Sequence, residues 1–214
     1  MRFSNKDGIF VVNSIIDSIR ANRDYLSQVD GTVGDGDHGI NMNKGFTIAK
    51  EEIDATESVN MSKGFMIISK VLINKIGGSM GPLYGNFFRG LSLASKNYET
   101  IDEEVMMGML REAYVNVTDI TTAVVGDKTL IDVLDPSVKA YESELKSGGN
   151  LEACLKSMLT AAEKGLESTK GMVAKLGRGS RLGKRTIGYQ DAGATSCYII
   201  LKSIVDSEIS LAKN

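Results

Sequence analysis

The sequence predicts an all-α fold of about eight amphipathic helices, and two observations carry that expectation. Apolar residues recur at three- and four-residue spacing through most of the 214-residue chain, the period of a single helical face. No segment alternates apolar and polar residues long enough to make a strand. Composition agrees: Trp is absent, aromatics are 6% and there are 10 methionines, so the core has to be aliphatic and adaptable, which suits packed helices.

From Asn5, the residues Ile9, Val12, Ile15, Ile16 and Ile19 form the first stripe, and Tyr25, Leu26 and Val29 extend it beyond a polar break. A helix from Ile40 puts Met42, Phe46, Ala49 and Ile53 on one face. Ser62 is placed to cap the next, with Met66, Ile67, Val71 and Leu72 apolar, until Gly77-Gly78 ends it. Pro82 suits the first turn of a further helix, continued by Phe87, Phe88, Leu91 and Ala94. Thr100-x-x-Glu103 has the form of a capping box, so a helix is predicted from near Ile101 with Val105, Met106, Met109, Leu110, Ala113 and Val117 inward.

Gly126-Asp127-Lys128-Thr129 reads as a polar turn into Leu130, Val133 and Leu134. Asp135-Pro136 then either kinks that helix or begins another. Asn150 caps the next, striped by Leu151, Cys154, Leu155, Met158, Leu159, Ala162 and Leu166. Between Gly171 and Gly193 periodicity fails, and Gly177, Gly179, Gly183 and Gly188 alternate with Lys175, Arg178, Arg181, Lys184 and Arg185. A loop of this length is functional or disordered; its five cations point to anion binding, with a solvated basic loop as the alternative. The last helix runs from Ala194 to about Ser207 and carries Cys197, Ile200, Leu201, Ile204 and Val205 inward.

The stretch from Asp30 to Asn43 concentrates chemistry. It holds Asp30, Asp35, Asp37, the single histidine His38 and the glycines Gly31, Gly34, Gly36 and Gly39. Gly34-x-Gly36-x-x-Gly39 matches the dinucleotide fingerprint, but helix rather than strand precedes it and its variable positions are aspartates, which repel a bare pyrophosphate. An EF-hand loop from Asp35 needs Gly and Glu where Ile40 and Phe46 stand. A P-loop fails at Gly183-Lys184, which Arg185 follows in place of Ser or Thr. What survives is a glycine turn whose carboxylates bind Mg²⁺ together with ligand phosphates, followed by a helix N-terminus aimed at the same phosphates. The bland alternative is an Asp/Gly turn whose aspartates cap the helix. Gly77-Gly78-Ser79-Met80-Gly81-Pro82-Leu83-Tyr84-Gly85 is a second glycine cluster between helices, read as close backbone approach to a ligand or as a plain turn.

The formal net charge of -2, from 25 basic and 27 acidic residues, gives no electrostatic case for nucleic acid. No apolar run approaches ~20 residues, so no membrane role is expected, and the N-terminus lacks a signal-peptide pattern. With 42% hydrophobic residues the chain can bury the core of one domain. Cys154 and Cys197 each lie on an apolar stripe and are expected as buried thiols in a reducing cytoplasm.

Four motifs, Gly34-Asp-Gly-Asp-His-Gly-Ile-Asn-Met, Gly81-Pro-Leu-Tyr-Gly, Gly126-Asp-Lys-Thr-Leu and Arg185-Thr-Ile-Gly-Tyr-Gln-Asp191-Ala-Gly-Ala-Thr-Ser, occur in the order found in the nucleotide-binding L subunits of phosphotransferase-dependent dihydroxyacetone kinases. The chain resembles that family over nearly its whole length. The resemblance implies a single nucleotide-binding domain over residues 1–214, with about eight antiparallel helices in a closed barrel and the nucleotide site in the loops at one end. It implies Asp30, Asp35 and Asp37 as Mg²⁺ ligands. It implies nucleotide contacts from His38, Gly39, Ile40, Asn41, Ser79, Met80, Thr121, Leu130, Arg178, Asp191, Ala192 and Gly193. Arg178 is the candidate for stabilising the transferred phosphoryl group.

The implied reaction retains ADP/ATP as a cofactor. A phosphohistidine on an M subunit recharges bound ADP, and the γ-phosphoryl group passes to dihydroxyacetone or a similar ketose on a K subunit. Positions depart from the family's pattern: Ser79-Met80 replaces Ala-Ser, Thr121 lies near a usual glycine, Arg181 near a usual Tyr, and Ala192 replaces Pro. Other readings of the same residues are a Mg-nucleotide module that reports to a transcriptional regulator, an acyl-phosphate kinase of the fatty-acid kinase type, whose chains are longer, and a phosphorylated His38.

Overall fold

A computed structural model describes residues 2–213. They form α1 (Ile9–Ala21), α2 (Arg23–Val33), α3 (His38–Asp54), α4 (Met61–Lys75), α5 (Met80–Ser95), α6 (Glu103–Thr118), α7 (Ile131–Lys146), α8 (Leu151–Ser168) and α9 (Ala192–Ala212). The protein is mostly helical, as the periodicity requires. The helix count exceeds the expected eight because the polar break at Asn22 ends α1 and starts α2. Two short strands also form, β1 (Phe3–Ser4) and β2 (Thr100–Ile101), paired antiparallel; two residues are too few to leave an alternating signature.

Each helix from α3 to α9 packs on its successor, α9 packs on α1, and α1 packs on α3, while α2 lies against α3 and α9. Most of the predicted stripes supply the interior, but Tyr25 is 45% exposed, and in α4 the buried face is Phe65, Ile68, Val71 and Leu72, with Met66 and Ile67 only half-buried. Phe88 sits at its centre, edge-on to Phe46 at 5.7 Å and to Phe87 at 5.3 Å between ring centroids, a favoured aromatic geometry. Cys154 and Cys197 are buried free thiols. No described helix is long and apolar enough to cross a membrane.

Several helix starts differ from the sequence reading. Ser62 lies inside α4, and Asn60 caps it by accepting from the Lys63 N–H at 2.9 Å. Buried Ser62 instead bonds Asn5, whose Nδ2 donates to it at 2.8 Å and to the Ser95 carbonyl at 2.9 Å, so β1 is tied to α4 and α5. The capping box fails because Thr100 pairs in the sheet; Asp102 accepts from the Val105 N–H and starts α6. Pro136 neither opens α7 nor breaks it. Its missing N–H leaves the Asp132 carbonyl without an in-helix donor. Gly165 of α8 crosses there so closely that a Cβ would collide with that carbonyl.

One core group is out of place. Glu208 on α9 is 1% exposed and neither carboxylate oxygen has a partner. Burial pushes its pKa up to about 8, because charge is costly where nothing solvates it. Between its unfolded value near 4.5 and about 8 the folded chain holds the extra proton, so this group's contribution to stability declines as pH rises through that window. Glu208→Gln is expected to remove that slope and to raise stability at pH 8 by roughly 1–3 kcal/mol. Thermal unfolding of both proteins from pH 5 to 8 checks it, and parallel curves would refute it.

Candidate functional site

The connections α2–α3, α4–α5, α6–α7 and α8–α9 meet at one end and line a cavity of about 940 Å³. Helices α3, α5, α7 and α9 all begin at its wall, through His38, Ser79, Leu130 and Asp191. Their first N–H groups carry the positive end of each helix dipole, so the cavity suits an anion.

Helix α2 runs further than the sequence suggested. Asp30 stands on its last turn rather than in a loop, and only residues 34–37 make the turn. Gly36, at φ +77°, takes a conformation that glycine adopts without strain. A Cβ on Gly39 would collide with the Arg23 carbonyl and the Ser27 N–H, so this glycine lets α3 start hard against α2. The result brings one oxygen each of Asp30, Asp35 and Asp37 within 4.8 Å of one another.

Capping accounts for Asp30 at most. Asp37 occupies the N-cap of α3 but its side chain caps nothing. Asp30 reaches the His38 N–H at 3.3 Å. Asp35 and Asp37 keep side chains 42% and 48% exposed, against the Arg178 guanidinium, whose Nη2 is 3.6 Å from Asp37. An all-carboxylate donor set of this kind fits a hard divalent cation such as Mg²⁺, which takes one or two carboxylates plus phosphate oxygens, and does not suit a soft metal.

Of the residues singled out in the sequence, Asp30, Asp35, Asp37, His38, Asn41, Ser79, Met80, Thr121, Leu130, Arg178, Asp191, Ala192 and Gly193 line the cavity. Gly39 and Ile40 do not. His38 and Asn41 lie three residues apart and share a face, whereas Gly39 is buried against α2 and Ile40 is 51% exposed. Thr121 lines the wall, and its hydroxyl accepts from the Ala123 N–H at 3.1 Å.

The basic segment also differs from expectation. Its Arg178–Thr186 portion is a kinked 3-10 helix, with Gly183 at φ +56°. Only Arg178 among its five cations lines the cavity; Lys175 bonds Asp127 at 2.8 Å, and Arg181, Lys184 and Arg185 are exposed outside the wall.

Burial lowers the His38 pKa to about 4 although Asp30 opposes the shift, so the ring is neutral at physiological pH, and its Nε2 lies 2.9 Å from Ser196 Oγ. Asp191 caps α9 by accepting from the Ala194 N–H at 2.7 Å. Burial pushes its carboxyl up to about 6 against the pull of that N–H and of Lys128.

Lys128 went unrecognised in the sequence. It is 1% exposed, with backbone φ +61°, and the three hydrogens of its ammonium are shared among the carbonyls of Thr169, Met172, Thr186 and Tyr189 at 2.8, 3.3, 2.6 and 2.6 Å. Burial lowers its pKa, partly offset by Asp191. One cation thus pins the chain that carries Arg178. Lys128→Met leaves these carbonyls without their donor and is expected to cost roughly 2–4 kcal/mol. Protease cleavage between Arg178 and Arg185 should accelerate at the same time; unchanged cutting and unchanged Tm would refute the pin.

The DAK2 domain family model matches residues 32–206. The ADP-binding subunit DhaL of the PEP-dependent dihydroxyacetone kinase 2 of Listeria innocua is 33% identical over 193 residues, 88% of each chain. The corresponding subunit of Escherichia coli K12 is 33% identical over 85% of this chain and 86% of that one. Among solved structures, the dihydroxyacetone kinase of C. freundii in complex with AMP-PNP and Mg²⁺ superposes with a TM-score of 0.65 at 22% identity, over 92% of this chain and 33% of that longer one. That last likeness speaks for the fold. The family match and the 33% identity over most of both subunits establish membership: the chain belongs to the DAK2 domain family.

Proposed function

We propose that this chain is the Mg-nucleotide-binding subunit of a kinase that phosphorylates dihydroxyacetone or a similar ketose. The observation that carries the reading is the trio of carboxylate oxygens within 4.8 Å at a cavity where four helices begin, one feature made for a cation and the other for an anion. The naming of 33% identical relatives as ADP-binding subunits of PEP-dependent dihydroxyacetone kinases supports ADP/ATP and this reaction. The cyclic packing order of α1 and α3 to α9 supports a closed barrel, and the shared hydrophobic core supports a single domain over residues 1–214.

In this reading Asp30, Asp35 and Asp37 hold Mg²⁺. When bound, the ion neutralises phosphate charge and fixes the phosphate oxygens. Amides at the starts of α3, α5 and α9 donate to the same oxygens, and His38, Asn41, Ser79, Met80, Thr121, Leu130, Ala192 and Gly193 shape the rest of the nucleotide site. Gly39 serves through the close approach of α3 to α2. Arg178, no longer needed by Asp35 and Asp37 once they take a metal, is free to stabilise the transferred group with its planar fork. The acceptor sits on a K subunit docked at this end, a phosphohistidine on an M subunit returns bound ADP to ATP, and the work takes place in the cytoplasm.

Asp35→Ala and Asp37→Ala are each expected to weaken Mg-dependent ADP binding by about tenfold or more, by calorimetry, because each removes one of the three carboxylates that face the ion. Stability without nucleotide should hold or rise, since a repulsion is relieved. Unchanged affinity in both variants would overturn the metal assignment. In an omission assay following triose phosphate, this chain with ATP and dihydroxyacetone should give only the blank rate, adding the K subunit a single turnover, and adding the phosphorylated M subunit steady turnover. Steady turnover by the chain alone with free ATP would favour a self-contained kinase.

A further inference from the structure

Two of the motifs, Gly81-Pro-Leu-Tyr84-Gly and Asp191-Ala-Gly-Ala-Thr-Ser196, meet beneath the nucleotide pocket at a chain of hydrogen bonds that the proposed reaction does not use. His38 Nε2 lies 2.9 Å from Ser196 Oγ, Ser196 Oγ lies 2.6 Å from Tyr84 Oη, and Tyr84 Oη donates to the Gly193 carbonyl at 2.8 Å. Ser196 is fully buried and Tyr84 is 2% exposed, so water does not compete for these groups.

Proton counting gives the chain a direction. A carbonyl oxygen only accepts, and a phenol and a hydroxyl have one hydrogen each. With the Tyr84 hydrogen given to Gly193, the 2.6 Å contact needs the Ser196 hydrogen, and the 2.9 Å contact then needs a hydrogen on His38 Nε2. Ser196 Oγ also lies 3.1 Å from the carbonyls of Ala192 and Gly193. If its hydrogen turns there and Tyr84 donates to Ser196 instead, the hydroxyl oxygen still accepts from His38. The opposite tautomer requires Ser196 to donate to the ring and Tyr84 to abandon Gly193. Only the arrangement with the proton on Nε2 fills all three short contacts.

We propose that Tyr84 and Ser196 are positioning residues that hold His38 as the Nε2–H tautomer, leaving Nδ1 as a lone-pair acceptor for a hydrogen-bond donor of the bound Mg-nucleotide. No described group bonds the other ring nitrogen, and His38 lines the pocket wall. A lone pair accepts from a ribose hydroxyl or a metal-bound water and repels a phosphate oxygen, so His38 orients the ligand through a proton the ligand supplies. The tautomer half of this inference stands on the nucleotide-free protein; the acceptor half rests on the Mg-nucleotide reading above.

His38 is the only histidine, so protein labelled with ¹⁵N in histidine gives a single imidazole spectrum. In nucleotide-free protein at pH 7.5 the nitrogen shifts and ring couplings should report Nε2 protonated and Nδ1 bare, and saturating Mg-ADP should move Nδ1 in the direction of hydrogen-bond acceptance. Ser196→Ala and Tyr84→Phe should shift the ring toward a mixture of tautomers at unchanged helix content, and Tyr84→Phe should weaken Mg-ADP binding about three- to tenfold, the effect of one mispositioned hydrogen bond. A wild-type ring with Nδ1 protonated, with both nitrogens protonated, or with mixed tautomers overturns the proposal even if either variant fails to fold. A one-sided Nε2–H ring in a protein that does not bind Mg-ADP would instead overturn the nucleotide reading and leave the positioning roles intact. Mg-ADP binding that leaves Nδ1 unmoved overturns the acceptor role.

Discussion

Three carboxylate oxygens within 4.8 Å of one another repel. At such a separation each pair costs about 1 kcal/mol in water and several-fold more in a less polar setting. The fold nevertheless holds them together, and the means is backbone. Asp30 is fixed on the last turn of α2, Asp37 on the cap of α3, and the two helices are locked by the bare Cα of Gly39 against the Arg23 carbonyl. Relief comes from outside the trio: the Arg178 guanidinium leans on Asp35 and Asp37. The trio is thus held together by backbone and offset by one exposed arginine, an arrangement that fits a hard divalent cation.

That arrangement explains which parts of the molecule were legible in the sequence. The apolar stripes were, because helix periodicity depends only on neighbours along the chain; Met42, Phe46, Ala49 and Ile53 are buried as read. The charge cluster was legible because nothing local needs three aspartates within eight residues of a glycine-rich stretch. Helix starts were less so. Ser62 and Thr100 had good local claims to be caps, but Asn5 and the β1–β2 pairing claim them through contacts tens of residues away. Gly39 and Ile40 show the same limit from the other side: on a helix they do not line the cavity that His38 and Asn41 do, and what they have there for a ligand is backbone N–H at the start of α3.

Lys128 is the sharpest case of a signal that sequence reading could not find. Gly-Asp-Lys-Thr looks like solvated turn chemistry, and a lysine is rarely buried. Here its partners are four carbonyls contributed by residues between 169 and 189, a segment whose own sequence has no helical period. The irregular chain and the buried cation explain each other: carbonyls released from regular structure need a donor, and an ammonium offers several from one point. The basic segment is therefore ordered by a lysine from another loop, while its own cations point elsewhere.

Met80 and Ala192 stand where the resemblance leads one to expect a serine and a proline. Loss of a hydroxyl at Met80 and of a proline at Ala192 looks damaging if side chains hold the ligand. Both residues, however, stand at the first position of a helix, α5 and α9, at the cavity wall, and the backbone N–H groups of a helix start have no partner within the helix whatever side chain they carry. Met80 packs its side chain against the core, and Ser79 caps nothing with its hydroxyl, so one free hydroxyl remains at that helix start. Proline at the first helical position has no N–H to offer; alanine at 192 adds one. Thr121 turns its hydroxyl to the Ala123 amide and keeps its own loop in shape. Anion donors that belong to helix termini would tolerate changes in the side chains mounted on them, because backbone N–H groups stay in place while the helices do.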